Sequence, residues 1–341
     1  MAETVAHRVP DVRLIGAITT HDYRRNLVLS PYGLRRLFAM LAVGARGRTH
    51  DQIVEALGVD EAAEARLPLP GFRVRDGMWI DRRFRTLRSY ESAIRERFGA
   101  DIAHVDFGSP DAVPRIERWV SRATDGQVPR IPLPADLTFV AADALVYHVE
   151  WSQPFALAAT KPEPFNAVDG TMTVPMMHRG VAAAVFEDAR GRYLRLPFTD
   201  GNSMMIALPT KLTASTLTHA IQVLDKPFQP MDVELALPRF SISSHVDLVK
   251  ALLGLGVTSA FGADADFSPI FGKPGVGLTF AFQQGAIAVD ERGVKMAVVS
   301  IVGSEQGPHR VMTFKVDRPF AFVVEDAKTR QILIAGIVAR P

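Results

Sequence analysis

The residues that could perform catalysis are not arranged as a catalytic site. The nine histidines are scattered, and His148, His178 and His245 are predicted to be surface or structural residues rather than ligands. No Gly-x-Ser-x-Gly, His-Glu-x-x-His, phosphate-binding loop or dinucleotide fingerprint occurs. Cysteine is absent, which excludes thiol catalysis, disulfides and cysteine-based zinc sites. We therefore predict no catalytic residue, no metal and no cofactor, and an enzyme is the less favoured class of function.

The segment from Ala288 to Phe320 carries the strongest functional signal. Val294 to Ile301 is β-branched and apolar enough to form a strand, whereas Gly303 to Arg310 has the composition of a turn and loop. Proteins normally suppress unpaired apolar strand material because it templates aggregation. Strand-forming residues carried into a loop therefore indicate a segment that pairs elsewhere later, as in a loop-insertion device.

Composition narrows the remaining classes. With 341 residues, 48% of them hydrophobic, the chain can bury a large core, and length alone suggests about two domains. A net charge of +2 gives no strong footprint for nucleic acid or an anionic membrane. The N-terminus lacks a signal-peptide pattern, so a cytoplasmic location is predicted, with export by another route left open. The excess of Arg over Lys indicates a GC-rich bacterial genome.

Local signals predict a mixture of helices and strands. Ser30 before Pro31 predicts a helix start, Thr49 to Gln52 has the spacing of a capping box, and Gly58 lies where a helix should end. Further helices are predicted at 86–98, 110–122 and 246–255, strands at 74–80, 102–107, 137–151, 278–290, 314–324 and 331–339, and hairpin turns at Asp169-Gly170 and Asp200-Gly201. No repeat or linker interrupts the chain, so one mixed α and β domain is predicted.

Short motifs occur in a fixed order along nearly the whole chain. They are Asn26-Leu-Val-Leu-Ser-Pro-Tyr32, Ala42-Val-Gly-Ala-Arg-Gly47, Trp151-Ser-Gln-Pro-Phe155, Val174-Pro-Met-Met177, Leu237-Pro-Arg-Phe240, Ala265-Asp-Phe-Ser268, Val289-Asp-Glu-Arg-Gly293, Asp317-Arg-Pro-Phe320 and Ile332-Leu-Ile-Ala-Gly336. Each motif is weak alone, but their order and spacing are jointly specific. In these residues the chain resembles the serpin family of serine protease inhibitors.

The resemblance implies a fold and a mechanism. The implied α+β fold is a single domain, 1–341, with three β-sheets, about eight or nine helices and an exposed reactive-centre loop at about 293–311. In the implied mechanism a serine protease attacks the loop as a suicide substrate, and the cut loop inserts into the central sheet and traps the acyl-enzyme. A non-inhibitory serpin acting as a binding, carrier or folding protein is the alternative. The predicted partner is a trypsin- or subtilisin-like serine protease. No nucleic acid, membrane or polyanion cofactor is expected, and the chain is predicted to be a monomer.

The hinge of the loop is predicted around Gly293. Its residues are Glu291, Arg292, Gly293, Val294, Lys295, Met296, Ala297 and Val298. After insertion, alternate residues from Val294 to Val302 would share one apolar face, and Lys295 would lie on the other. Inhibitory relatives usually carry a small hydroxyl residue, Glu and several alanines after the hinge glycine. Because this chain has bulkier residues there, insertion is predicted to be possible but slow.

The bond that a protease would cut is predicted only as a range. Counting by family spacing from the hinge reaches Gly307, whereas counting back from Asp317 reaches Pro308. Most serine proteases reject proline after the cut bond, and Arg310 would suit a trypsin- or subtilisin-like enzyme. The candidates are Gly307, Pro308, His309, Arg310 and Val311.

Four other residues align with the region where the family's central sheet opens. Ser30, Asp143 and Gln283 occupy positions where the family places Ser, Asn and His in a hydrogen-bonded cluster. They are interpreted either as a mutually bonded set or as a helix cap and two unrelated polar groups. Trp151 is predicted to pack where the loop first enters the sheet, although a plain core aromatic would look the same from sequence.

Overall fold

The computed structural model describes residues 2–65, 72–134, 136–294 and 312–341. The helices are α1 (Ala2–Asp22), α2 (Pro31–Val43), α3 (Gly47–Leu57), α4 (Glu61–Ala65), α5 (Arg88–Phe98), α6 (Ala112–Ala123), α7 (Thr216–Val223), α8 (Val249–Gly254) and α9 (Ser268–Phe271), with 3₁₀ turns at Leu157–Ala159 and Ser259–Phe261. None of the helices in these ranges has the length and apolarity needed to cross a bilayer.

The strands outnumber the helices. They are β1 (Leu27–Leu29), β2 (Phe72–Asp81), β3 (Asp101–Val105), β4 (Phe139–Tyr147), β5 (Val149–Glu150), β6 (Lys161–Ala167), β7 (Gly170–Asp188), β8 (Gly191–Pro197), β9 (Ser203–Pro209), β10 (Gln229–Pro238), β11 (Phe240–Asp247), β12 (Phe282–Val289), β13 (Gly293–Val294), β14 (Met312–Lys315), β15 (Phe320–Glu325) and β16 (Ile332–Val338). Residues pack into two compact units, each assembled from separate parts of the chain. The single domain over 1–341 stays a prediction.

The first unit comprises Met1–Ile18, Ser30–Val146 and His245–Gln284. Its sheet has the order β3-β2-β4, with β2 parallel to β3. Ile116 and Val120 lie one turn apart on α6 and belong to one buried cluster with Trp79 of β2. This spacing places both side chains on the same face of the helix, which explains why α6 covers the sheet.

The predicted helix ends in this unit are mostly confirmed. The Ser30 hydroxyl accepts a hydrogen bond from the Gly33 amide at 3.0 Å and so caps α2. Gly58, with φ of 60°, ends α3 in the left-handed region as predicted. The predicted capping box is wrong, because α3 already begins at Gly47 and Thr49 lies inside it. The Thr49 hydroxyl instead accepts a hydrogen bond from the Asp266 amide at 3.0 Å.

The second unit comprises Thr19–Leu29, Tyr147–Ser244 and Gly285–Pro341. Its largest sheet has the order β1-β16-β15-β9-β8-β7-β10-β14, and β6 also pairs with β7. Both predicted hairpin turns are confirmed, at Asp169-Gly170 between β6 and β7 and at Asp200-Gly201 between β8 and β9. The predicted strand 314–324 is divided into β14 and β15, since Pro319 has no amide hydrogen for a ladder.

Several predicted elements are shorter than expected. The strand predicted at 278–290 begins at Phe282, and the helix predicted at 246–255 begins at Val249 because Val246 and Asp247 belong to β11. β11 and β12 form a two-stranded sheet, and β5 and β13 form another. Among the residues described, β4 has β2 as its strand neighbour and β12 has β11.

Candidate functional site

The hinge turn, defined as Asp290 to Val294, reverses the chain after β12. The Asp290 amide donates to the Gly293 carbonyl at 3.1 Å, and the Asp290 carboxylate accepts from the Arg292 amide at 2.9 Å. Asp favours the first position of such turns because its side chain can accept amides further along. The turn delivers β13 antiparallel to β5, with Gly293 opposite Glu150 and Val294 opposite Val149. The first two residues after the turn are therefore already in strand pairing.

Gly293 is required by the close approach of backbone at this turn. Its φ is 148°, which L side chains rarely adopt. A Cβ at this position would lie 2.4 Å from the Val149 carbonyl oxygen and 2.6 Å from the Glu150 Cα. These neighbours are backbone atoms of the paired strand, which cannot rotate away. Any other residue would have to break the pairing of β13 with β5.

Trp151 holds the outer side of the hinge turn. It is 1% exposed, its amide donates to the Arg292 carbonyl at 2.9 Å, and its indole Nε1 donates to the Asp290 carbonyl at 3.0 Å. Its ring stacks on Phe198 with centroids 4.8 Å apart and an interplanar angle of 21°. The indole thus combines a large buried surface with a polar contact to the turn. This is the hinge contact that distinguishes Trp151 from a plain core aromatic.

Glu291 anchors the hinge turn through a buried carboxylate. The side chain is 8% exposed, forms a bidentate ion pair with Arg239, and accepts from the Thr160 hydroxyl at 2.6 Å. The Glu291 carbonyl also accepts from the Phe155 amide at 2.8 Å. Burial acts to raise the pKa of Glu291, but the hydrogen bonds from Arg239 and Thr160 outweigh it and hold that pKa below its usual value. The carboxylate is therefore charged and fully paired.

Ser30 and Gln283 contact each other in the first unit. The Gln283 carbonyl oxygen accepts from the Ser30 amide at 2.8 Å, and the Gln283 Nε2 donates to the Ser30 carbonyl at 3.1 Å. The Ser30 hydroxyl serves as the cap of α2. Both sequence interpretations are thus partly right for this pair: Ser30 is a cap, and its backbone also binds Gln283.

Asp143 belongs to a different set of contacts. A Cβ on Gly33 would lie 2.3 Å from the Asp143 Oδ1, so α2 approaches this carboxyl closely at a glycine. The hydrogen-bond partner of the Asp143 side chain is the carboxyl of Asp76 on β2. Burial, and then the charge of Asp76, raise the pKa of Asp143 well above its ordinary range. Asp143 therefore bonds to Asp76 rather than forming a third member of the Ser30 and Gln283 contact.

Comparison with known proteins decides the family. The family model described as serpin (serine protease inhibitor) matches residues 11–341. The chain belongs to the serpin family. It is 27% identical to an uncharacterized serpin-like protein of Thermococcus kodakarensis over 97% of this chain and 86% of that one. It is 25% identical to the leukocyte elastase inhibitor of Xenopus laevis, covering 96% of each.

The serpin fold is also seen in solved structures. Thyroxine-binding globulin in complex with thyroxine superposes with a TM-score of 0.87 at 21% identity, and all of both chains is covered. The predicted α+β serpin fold is confirmed. Serpins are protease inhibitors rather than enzymes, and this chain is not an enzyme.

Part of the predicted serpin loop lies outside the described residues. This applies to Lys295, Met296, Ala297 and Val298 of the hinge and to the candidates Gly307, Pro308, His309, Arg310 and Val311 for the cut bond. The structure does bring together Glu291, Arg292, Gly293, Val294 and Trp151.

Sequence reasoning did not identify three residues of the hinge. Arg239 lies in the Leu237-Pro-Arg-Phe240 motif, which was useful for recognition but gave no sign of a partner. Thr160 has no local signal, since its partner Glu291 is 131 residues away. Asp290 could have been found, because Asp followed three residues later by Gly is a turn signal.

Proposed function

We propose that this serpin inhibits a serine protease as a suicide substrate, by cleavage and insertion of its reactive-centre loop. The observation that carries this is the antiparallel pairing of Gly293 and Val294 with β5. An inserting loop must leave the hinge in this direction, and here its first two residues already do so. The leukocyte elastase inhibitor among the relatives supports the same class of partner.

The register of β13 against β5 indicates which residues would pair if insertion continued. Gly293 lies opposite Glu150 and Val294 opposite Val149, so each following loop residue would meet the preceding residue of the chain, through His148 towards Phe139. Val294 is 5% exposed, which assigns the buried face of the new strand. Because side chains alternate, Met296, Val298, Ser300 and Val302 would follow Val294 into the core.

Burial of the Val294 side chain supports insertion despite bulk at the first position after the hinge. The structure accommodates the Val294 side chain without a small hydroxyl residue. Burying a large aliphatic side chain contributes roughly 2 kcal/mol, so several such residues give insertion a substantial driving force. Lys295 would fall on the opposite face, where its charge need not be buried.

The experiment is a complex that survives boiling in SDS. The protein is incubated with trypsin, subtilisin and pancreatic elastase, and a covalent band is expected with at least one of them. Val298→Glu and Val299→Glu form a matched pair, since they place the same charge on opposite faces of the inserting strand. We expect Val298→Glu to be cut without forming the complex, and Val299→Glu to retain most of it. Loss of the complex in both variants or in neither contradicts the insertion register.

The same incubation identifies the cut bond. Mass spectrometry of the released C-terminal peptide places the cleavage between Gly307 and Val311, and Arg310 is the candidate for trypsin and subtilisin. Arg310→Gln should then abolish the complex with trypsin. If every protease cuts the loop and no complex forms, and the melting temperature does not rise after cleavage, the loop does not insert. A non-inhibitory binding or carrier role, the alternative for this fold, would then be favoured.

A further inference from the structure

Two carboxyl groups lie in contact inside the first unit. Asp76 on β2 is 2% exposed, and its carboxyl and that of Asp143 on β4 share a side-chain hydrogen bond. Two carboxylates can only accept hydrogen bonds, so this contact requires a proton on one of them. Apart from the bond that the two carboxyls share, the buried atoms Oδ1 of Asp76 and Oδ2 of Asp143 have no hydrogen-bond partner among the described residues. The pair therefore depends on a proton that only the solvent can supply or remove.

One guanidinium faces this pair. Arg36 of α2 donates to the Asp76 carboxylate at 2.8 Å, and its other nitrogens donate to the carbonyls of Glu64 and Phe98 at 2.8 and 2.6 Å. The donors of Arg36 are therefore directed to Asp76, to backbone and to Tyr32. Asp76 has a countercharge, and Asp143 has a neighbouring acid.

The other groups facing the pair do not supply a second charge. Tyr32 of α2 also faces it, and burial raises the pKa of Tyr32 to about 12, so this phenol stays neutral at physiological pH. Glu64 of α4 acts on Tyr32 electrostatically, and its carboxylate is paired with Arg35. Ser30, whose hydroxyl lies near Gly33, and its partner Gln283 are neutral. One positive charge thus serves two acids.

We propose that Asp76 and Asp143 form a one-proton latch between β2 and β4, which makes the stability of this three-stranded sheet, and the ease of loop insertion beside β4, depend on pH. With the proton in place, the two strands are joined by an acid-to-carboxylate hydrogen bond. Without it, two carboxylates repel across the strands in a buried site. The stability part stands by itself, whereas the insertion part rests on the proposed function.

The sign of the pH effect follows from the raised pKa of Asp143. The folded chain holds a proton that the unfolded chain releases near the ordinary aspartate pKa of 3.8. Stability therefore falls as pH rises from that value through the raised pKa, and is flat above it. The latch is closed below the raised pKa of Asp143 and opens as pH rises through it.

Asp143→Asn tests the latch, because the amide keeps the shape and the donor while it cannot titrate. Melting temperature is measured from about pH 5 to pH 9 for wild type, Asp143→Asn and the control Asp232→Asn. The wild type and the control should lose several degrees across this range relative to Asp143→Asn. Unfolding of the wild type inside the window should release about one more proton than unfolding of Asp143→Asn. Parallel curves for all three proteins overturn the proposal.

A measurement on the wild type guards against a folding defect in the variant. Carboxyl carbon NMR of ¹³C-labelled aspartate should show one residue titrating far above the others. Its absence overturns the latch, as does failure of Asp143→Asn to fold, since the amide reproduces the protonated acid.

The insertion part is tested by the rate at which the protease complex forms. At each pH the rate for wild type is divided by the rate for Asp143→Asn, which cancels the pH dependence of the protease itself. The ratio should rise severalfold towards alkaline pH. A flat ratio overturns the insertion part, whereas absence of any complex overturns the proposed function alone.

Discussion

At the hinge turn, the buried carboxylate of Glu291 accepts from Arg239 and Thr160, whereas beneath α2 the carboxyl of Asp143 meets another acid, Asp76. Burial acts against ionisation in both places. Partners that donate lower the pKa of Glu291, and an acidic neighbour raises that of Asp143. A buried carboxyl that accepts from donor side chains stays charged and bonded. A buried carboxyl that meets another acid keeps its hydrogen bond only while one of the two is protonated.

At the hinge turn, the substitution with the largest expected effect on stability is Gly293→Ala. A Cβ there would meet backbone at 2.4 Å, so we expect a loss of about 3 kcal/mol in the free energy of unfolding and of the β13–β5 pairing. Gly170→Ala is the matched control, because Gly170 has φ of 137° with nothing within 4 Å of its Cβ. Denaturant unfolding compares the two. Equal losses would show that backbone strain, and not the close approach, accounts for the glycine.

Removing the donor sharpens the comparison. Arg239→Gln leaves the Glu291 carboxylate buried with Thr160 alone, and we expect a loss of about 2 kcal/mol, discounted because the Arg239 side chain is 40% exposed. Arg340→Gln is the control, since it breaks an ion pair with Asp169 whose side chains are 59% and 62% exposed. That change should cost well under about 1 kcal/mol. Similar losses for the two variants would mean that the hinge turn does not depend on its ion pair.

The two carboxyls should also differ in the sign of their pH dependence. The lowered pKa of Glu291 means that its contribution to stability is fully present above the ordinary glutamate pKa of 4.5 and is lost as pH falls through the lowered pKa. The stability difference between wild type and Glu291→Gln should therefore shrink as pH falls through the lowered pKa of Glu291. The difference between wild type and Asp143→Asn should grow towards alkaline pH. Thermal unfolding of both variants across pH measures this, and the same sign for both would contradict the assignment of donors.

The smallest expected effect concerns the first residue after the hinge. Val294→Thr restores a hydroxyl residue of nearly the same volume, and its burial should cost about 1 kcal/mol in the intact protein. If bulk at this position limits insertion, the variant should form the protease complex faster. Stopped-time SDS gels give the rate, with Val289→Thr as a control at a buried position of β12 before the turn. An unchanged rate would mean that Val294 does not limit insertion.

The sequence predicted the elements that depend on neighbouring residues, and it missed the contacts between residues far apart along the chain. Ser30, Gly58 and the two hairpin turns act on neighbouring amides, so their types alone indicate their structure. Thr49 had the same kind of signal, yet its hydroxyl bonds the amide of Asp266, which is 217 residues away in sequence. The helix α3 begins before Thr49, at Gly47. Arg239 and Thr160 have no periodicity that points to Glu291.

The candidate site divides in the same way. The hinge at Gly293 and the indole of Trp151 could be named from motif order, and the structure places them together. The partner of Asp143 could not be predicted from sequence, because an acid beside an acid contradicts the expectation that buried charges pair with opposite charges. Only the fold reveals that Asp76 and Asp143 occupy adjacent strands.

The stacking of Trp151 on Phe198 gives the molecule a built-in optical reporter. The chain has three tryptophans, and the other two, Trp79 and Trp119, lie against each other in the first unit with centroids 5.1 Å apart. Replacing these two with phenylalanine would leave a single indole, bonded through Nε1 to the carbonyl of Asp290 at 3.0 Å. Its emission would then report the hinge turn alone, so that departure of the loop from its resting pairing could be followed in real time without any attached dye.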